Sequence, residues 1–285
     1  MNTQNNKGNS GKTAYLIIIT IITIVCILAG VFWHIGGWFG RNGTSSIFGW
    51  KWHWNWSDSD PGDMNHETIS LDDFDTIDID LAIGEVVIKE GSKFSLTMDF
   101  PEKYMPEYSV SNGNLKITHR KAMNVGFSNM RNDDYKVELE VPKGVDFDLV
   151  KVNCSLGDIR INGLSADKFD IDESLGEIKL DYITAKDIEV CNSMGSVNIR
   201  DAEAASLNGD LSMGDLRVES SKIDNVDCNN SMGSVSFEGQ CEWLDIDNNM
   251  GDIRVDSKSD WKGTLECDMG SVKVNGENYG TKCKR

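Results

Sequence analysis

The four histidines, His34, His53, His66 and His119, all lie in the first 119 residues of the chain. The long C-terminal part therefore cannot assemble a Ser–His–Asp triad or a His-bearing zinc site. No C-x-x-C, P-loop or dinucleotide-binding glycine motif occurs in a suitable setting. Asp and Asn are common beside Gly, which invites a calcium reading, but the G-G-x-G-x-D pattern of calcium-binding rolls is missing. Incidental weak calcium binding by outer carboxylates stays open as a minor alternative. Carboxylate clusters on a β-helix can cleave acidic polysaccharides. Here the acids Asp158, Glu177, Asp215 and Asp252 each have a base two residues on, and no long loop builds a cleft, so the chain does not read as an enzyme. No catalytic residue, metal site or cofactor is expected. Trp50, Trp52, Trp54 and Trp56 alternate at period two, which in an extended strand puts four rings on one face. They form either an interfacial belt at a membrane or a stacking platform for a sugar or a protein partner.

What positions these groups is a repeat. SLGDIRI (155–161), SLGEIKL (174–180), SMGSVNI (193–199), SMGDLRV (212–218), SMGSVSF (231–237), NMGDIRV (249–255) and DMGSVKV (268–274) can be stacked on Gly157, Gly176, Gly195, Gly214, Gly233, Gly251 and Gly270. The spacing is 19 with one step of 18, and a weaker copy surrounds Gly84. Apolar residues stand two and four positions after each Gly, as in Ile159 and Ile161, with a polar residue between, the alternation of a half-buried strand. A second strand precedes the Gly, as in Phe169 with Ile171 and Leu244 with Ile246. Leu164 and Ile183 mark a third inward position. A rung this short suits a β-solenoid, whose apolar rows are covered only by the next rung. Each Gly is expected at a bend with positive φ. Pro, which would delete a ladder hydrogen bond, does not occur after Pro142. Seven rungs about 4.8 Å apart make a rod of roughly 30–35 Å.

The residue before each Gly is Leu156, Leu175, Met194, Met213, Met232, Met250 or Met269. The reading places this row inward as a spine, because seven large apolar residues on an outer edge would favour aggregation. One position after the Gly run Asp158, Glu177, Ser196, Asp215, Ser234, Asp252 and Ser271. Three after it run Arg160, Lys179, Asn198, Arg217, Ser236, Arg254 and Lys273. They are expected to pair as surface charges within a rung, the alternative being a ligand groove along the rod. Seven cysteines (26, 154, 191, 228, 241, 267 and 283) would suggest disulfides outside a membrane. Cys154, Cys191 and Cys228 are two rungs apart in succession, beyond the reach of a bridge. Cys228 reads as a small core residue, and a Cys267–Cys283 pair stays open.

Upstream, Ala14 to Trp33 is an uncharged apolar run of 20 residues, long enough for a transmembrane helix and poorly matched to a cleaved signal peptide. Residues 1–57 carry Lys7, Lys12, Arg41 and Lys51 and no acid. The remaining 24 bases and 46 acids give residues 58–285 a net charge of −22. Lys7 and Lys12 favour an N-terminus inside, which puts the acidic part outside. Such a charge repels phosphate backbones, so no nucleic-acid partner is expected.

FDTIDIDLAIGEVVIKEG, then YKVELEVPKGVDFDLVKVNCSLGDIRI, then the repeated S-M-G-S/D-V, resemble the "putative-adhesin" β-strand-repeat domain family of unknown function, found in membrane-anchored proteins of Gram-positive bacteria. The resemblance covers about residues 68–277 and carries no catalytic residues across. It implies a surface-exposed β-solenoid, and for some members an envelope-sensing role.

The fold class expected is therefore all-β, a single-stranded β-solenoid (β-helix) of about seven rungs with an N-terminal antiparallel β cap, preceded by one transmembrane helix. The domains read as a cytoplasmic tail (1–13), the membrane helix (14–33), a Trp/Gly-rich stalk and linker (34–66), the cap region with the first repeat (67–150) and the solenoid (151–285). The expected function is binding or structural work at the bacterial cell surface, with a cell-wall glycan or a protein as partner. The alternative is a membrane component of envelope-stress sensing that acts with a partner protein.

Overall fold

Alternating sequences make the strands, and the 19-residue step sets how they stack. The computed structural model describes residues 63–119 and 135–285, which lie in one compact unit, Asp60–Arg285. The expected tail, the apolar run Ala14 to Trp33 and the four alternating tryptophans fall outside the described residues. Among the described residues no helix is long and apolar enough to cross a membrane.

Each rung contributes a long strand and a short one. The long series begins β8 (Asp146–Cys154), β10 (Ser165–Glu173), β12 (Thr184–Met194) and β14 (Glu203–Met213). The short series begins β9 (Ile159–Asn162), β11 (Ile178–Asp181) and β13 (Val197–Arg200). Both are parallel and in register: Val150 lies beside Phe169, Phe169 beside Ile188, and Ile159 beside Ile178. β15 (Leu216–Met232) spans a corner without a break and serves both series. Beyond it come β16 (Val235–Gln240), β17 (Trp243–Met250), β18 (Ile253–Ser257), β19 (Thr264–Met269) and β20 (Val272–Val274). The shortened repeat is absorbed where β15 meets β16, by a register shift between Val218 and Ser221. Inward rows such as Phe169, Ile171, Ile178, Leu180 and Ile183 are fully or almost fully buried. Each such side chain contributes about 1.5–3 kcal/mol, so a rung is stable only between neighbours.

The N-terminal end is less simple than a set of antiparallel strands. β2 (Thr76–Leu81) and β3 (Glu85–Gly91) form the rung of Gly84 and lie parallel to β8 and β9. On their other side, β6 (Asn114–Thr118) and β7 (Lys136–Pro142) add a further parallel rung. The chain thus passes over its own first rung before the regular stack begins. The antiparallel cap strands are β1 (Met64–Ser70) and β4 (Ser95–Pro101), with β5 (Glu107–Ser111) on β6. At the far end β21 (Glu277–Asn278) and β22 (Lys282–Lys284) close both series antiparallel, beside the buried Trp261. The six described cysteines are free. Cys283 stands opposite Leu265 rather than Cys267.

One inward row is corrected. Leu175, Met194, Met213 and Met269 are 45%, 45%, 37% and 47% exposed, and Leu156, Met232 and Met250 are partly buried. The alternation stops at the corner, where Ser193 and Met194 are exposed in succession. The space behind the corner is already filled by the backbone of neighbouring glycines and by the side chain three residues before each Gly. Met has nowhere to go but out.

Candidate interaction surface

The corner is set by how closely successive glycines approach. Gly214 has φ +156°, and a Cβ on it would fall far inside contact distance of the Gly195 carbonyl. Gly84, Gly157, Gly195, Gly233, Gly251 and Gly270 also have φ between 126° and 156°. Gly176 lies outside that range, yet a Cβ there would strike the Gly157 carbonyl in the same way. Positive φ was the expected reason for glycine. The close approach between rungs is the stronger one, since it holds at every stacked position.

Beneath the corner runs a buried polar row that hydrophobicity did not reveal. Asn192, Asn230 and Asn248 donate from Nδ2 to the carbonyls of Gly176, Gly214 and Gly233 at 3.2, 3.2 and 2.9 Å. The thiols of Cys154 and Cys267 do the same toward Gly84 and Gly251. These residues stand three before their Gly, a place that Leu211 takes in the Gly214 rung, and continuing the inward alternation from Phe169 and Ile171 would have found them. Glu173 fills the same position in its rung. It is fully buried, and neither carboxyl oxygen has a well-placed hydrogen-bond partner among the described residues. Burial pushes its pKa up to about 8, the Leu175 amide holding it down only in part. In the protonated form Glu173 becomes a donor like Asn192 beside it in the next rung. Burial also raises the thiols, Cys228 up to about 12 and Cys241 up to about 11, so both stay protonated and inert.

On the short-strand face, the expected pairs form in part. Arg160 reaches Asp158 at 2.9 Å and Lys179 reaches Glu177 at 2.7 Å. Arg217 and Arg254 instead turn to Glu219 and Asp256, at 2.6 and 2.7 Å. Asp215 and Asp252 accept the backbone N–H of Ser234 and Ser271 in the next rung, at 2.7 and 2.8 Å, and Asp158, though paired with Arg160, accepts that of Glu177 at 3.0 Å. Asp252 also accepts from the Ser271 hydroxyl, and these bonds hold its pKa low. The acids after each Gly are thus partly stitches between rungs, satisfying an amide that the bend leaves outside the ladder.

The same face carries an open trough of about 530 Å³. Ser196, Asn198, Ser234 and Ser236 give it a low hydroxyl and amide floor, and its charged lining is Arg217 and Arg254 with the acids Asp215, Glu219, Glu238 and Asp256. The small rungs between the charged ones create the hollow. Its groups can exchange hydrogen bonds with hydroxyls or amides of an extended ligand, the carboxylates as acceptors and the guanidinium N–H groups not given to Glu219 and Asp256 as charge-assisted donors. Among the described residues no group of three or more His, Cys, Asp or Glu side chains is placed to hold a metal ion.

The architecture has counterparts among solved structures. A "putative adhesin" from Bacteroides fragilis NCTC 9343 superposes with a TM-score of 0.51 at 13% identity, over 74% of this chain and 97% of that one. A "putative lipid binding protein" and a "putative adhesin", both from Parabacteroides distasonis ATCC 8503, give TM-scores of 0.47 and 0.43 at 17% and 15% identity. Each covers 75% of this chain, and 97% and 96% of the other. Among curated proteins none matches. The family model of Toastrack DUF4097 matches residues 74–282, and the chain belongs to that family.

Proposed function

We propose that the chain is a single-pass membrane protein that displays the solenoid outside the cell and binds an extended polar ligand, a cell-wall glycan or a protein segment, along its outer face. The observation that carries this reading is the trough that runs from the Asn198 rung to the Arg254 rung, open and floored by Ser and Asn. A polymer can lie along such a surface, with hydrogen bonds repeated at the rung spacing of about 4.8 Å. Anchoring rests on the apolar run Ala14 to Trp33, and orientation on the contrast between the acid-free N-terminal stretch and the −22 charge of residues 58–285. In this reading the domain binds and does not catalyse. The adhesin names of fold relatives agree with a surface role.

The test is co-sedimentation of the purified full chain with isolated cell-wall sacculi. Saturable binding is expected, and Ser236→Tyr, which fills the trough without touching the core, should weaken it by at least about tenfold. Sedimentation no better than that of an unrelated acidic protein, or unchanged binding by the filled variant, sinks the proposal.

A further inference from the structure

The corner row changes chemistry along the rod. Its first two places are Leu156 and Leu175, and the next five are Met194, Met213, Met232, Met250 and Met269, five of the 11 methionines in the chain. Apolar contact alone would be served by Leu, as the first two rungs demonstrate. What the later rungs add is sulfur, five times in succession. The row is in strict register, each Met lying beside the next on neighbouring strands. Its ends are open to solvent, with Met194 at 45% and Met269 at 47% exposure.

We propose that this thioether ladder is a binding site for a soft monovalent cation, Cu(I) or its closed-shell analogue Ag(I). Thioethers are neutral, polarizable donors that select soft ions over Ca²⁺ or Mg²⁺. With the Zn–S length of about 2.3 Å as a guide for Cu(I), two sulfurs on one ion lie at most about 4.6 Å apart, and slightly farther on the larger Ag(I). Parallel strands set consecutive rungs at about that distance. Met has three rotatable bonds, so two or three neighbouring side chains can converge on one ion without moving the backbone. The surroundings attract a cation, since Asp210, Asp215, Asp247, Asp252 and Asp268 lie within a few residues of the row on a strongly acidic domain. Five donors in line accommodate two separate ions, or one that steps from rung to rung.

The experiment uses the full chain labelled with ¹³C at the methionine methyls, titrated with silver nitrate in chloride-free buffer and with Cu(I) under anaerobic conditions. The methyl group sits on the coordinating sulfur, so its signal moves only when that sulfur is engaged. The five ladder methyls are expected to shift together and saturate, while the buried Met98 stays still. A variant with all five methionines changed to Leu should lose at least about tenfold in affinity. Leu is already accommodated at this row in Leu156 and Leu175, and the wild-type titration stands without the variant. Ladder methyls that do not move while metal is taken up, by thiols such as Cys191, overturn the proposal, as does no uptake at all.

Discussion

Glu173→Gln is a perturbation whose sign and pH window follow from the buried row. A free glutamate titrates at 4.5, and Glu173 at about 8. Between those values the folded protein holds a proton that the unfolded chain has released. The stability tied to this group is present below pH 4.5 and is lost as pH rises toward 8, with a slope approaching about 1.4 kcal/mol per pH unit. Over the whole window that amounts to about 4–5 kcal/mol at most. Gln keeps the shape, has no proton to lose, and can donate to the Gly157 carbonyl as Asn192 does to Gly176. Urea denaturation of wild type and variant should be compared from pH 4 to pH 9. The two should be close at pH 4, and the variant should be more stable by about 2–4 kcal/mol at pH 8.5. Taking the difference cancels every other titrating group. A difference that does not change with pH, or a variant less stable than wild type at pH 8.5, would refute the assignment of Glu173 to the donor row.

Two further substitutions test the corner. Gly214→Ala combines a strained φ with a clash against the Gly195 backbone and should cost more than about 4 kcal/mol. Gly144→Ala, also at positive φ but with nothing within 4 Å of the new Cβ, should cost about 1–2 kcal/mol. Met194→Asp should leave the unfolding free energy within about 1 kcal/mol of wild type, while Ile199→Asp, on the same rung and fully buried, should cost several kcal/mol.

The rungs were legible because one glycine per repeat and strict alternation leave little freedom. Phe169, Ile171, Leu164, Ile183 and Cys228 are buried where that pattern placed them. Apolarity is no guide to direction at the corner. It points Met232 and its row inward, where the Gly-to-Gly approach and the Asn row leave no volume. The Asn192, Asn230 and Asn248 row was passed over for the complementary reason, that polar residues look external. Their position in the alternation was the signal. The ion pairs of Asp215 and Asp252 were assigned within their own rungs, because sequence spacing shows neighbours along a strand and not the unpaired amide one rung away. The topology of β6 and β7 was beyond reading, since nothing in two alternating strands says on which side of an earlier rung they will settle.

The central claim, that the acidic solenoid stands outside the membrane, is tested most directly by tagging each end of the full chain and staining intact protoplasts with antibody. A tag after Arg285 should be stained on intact protoplasts, and a tag at the N-terminus only after permeabilisation. A C-terminal tag that stays hidden until the membrane is opened would contradict the account.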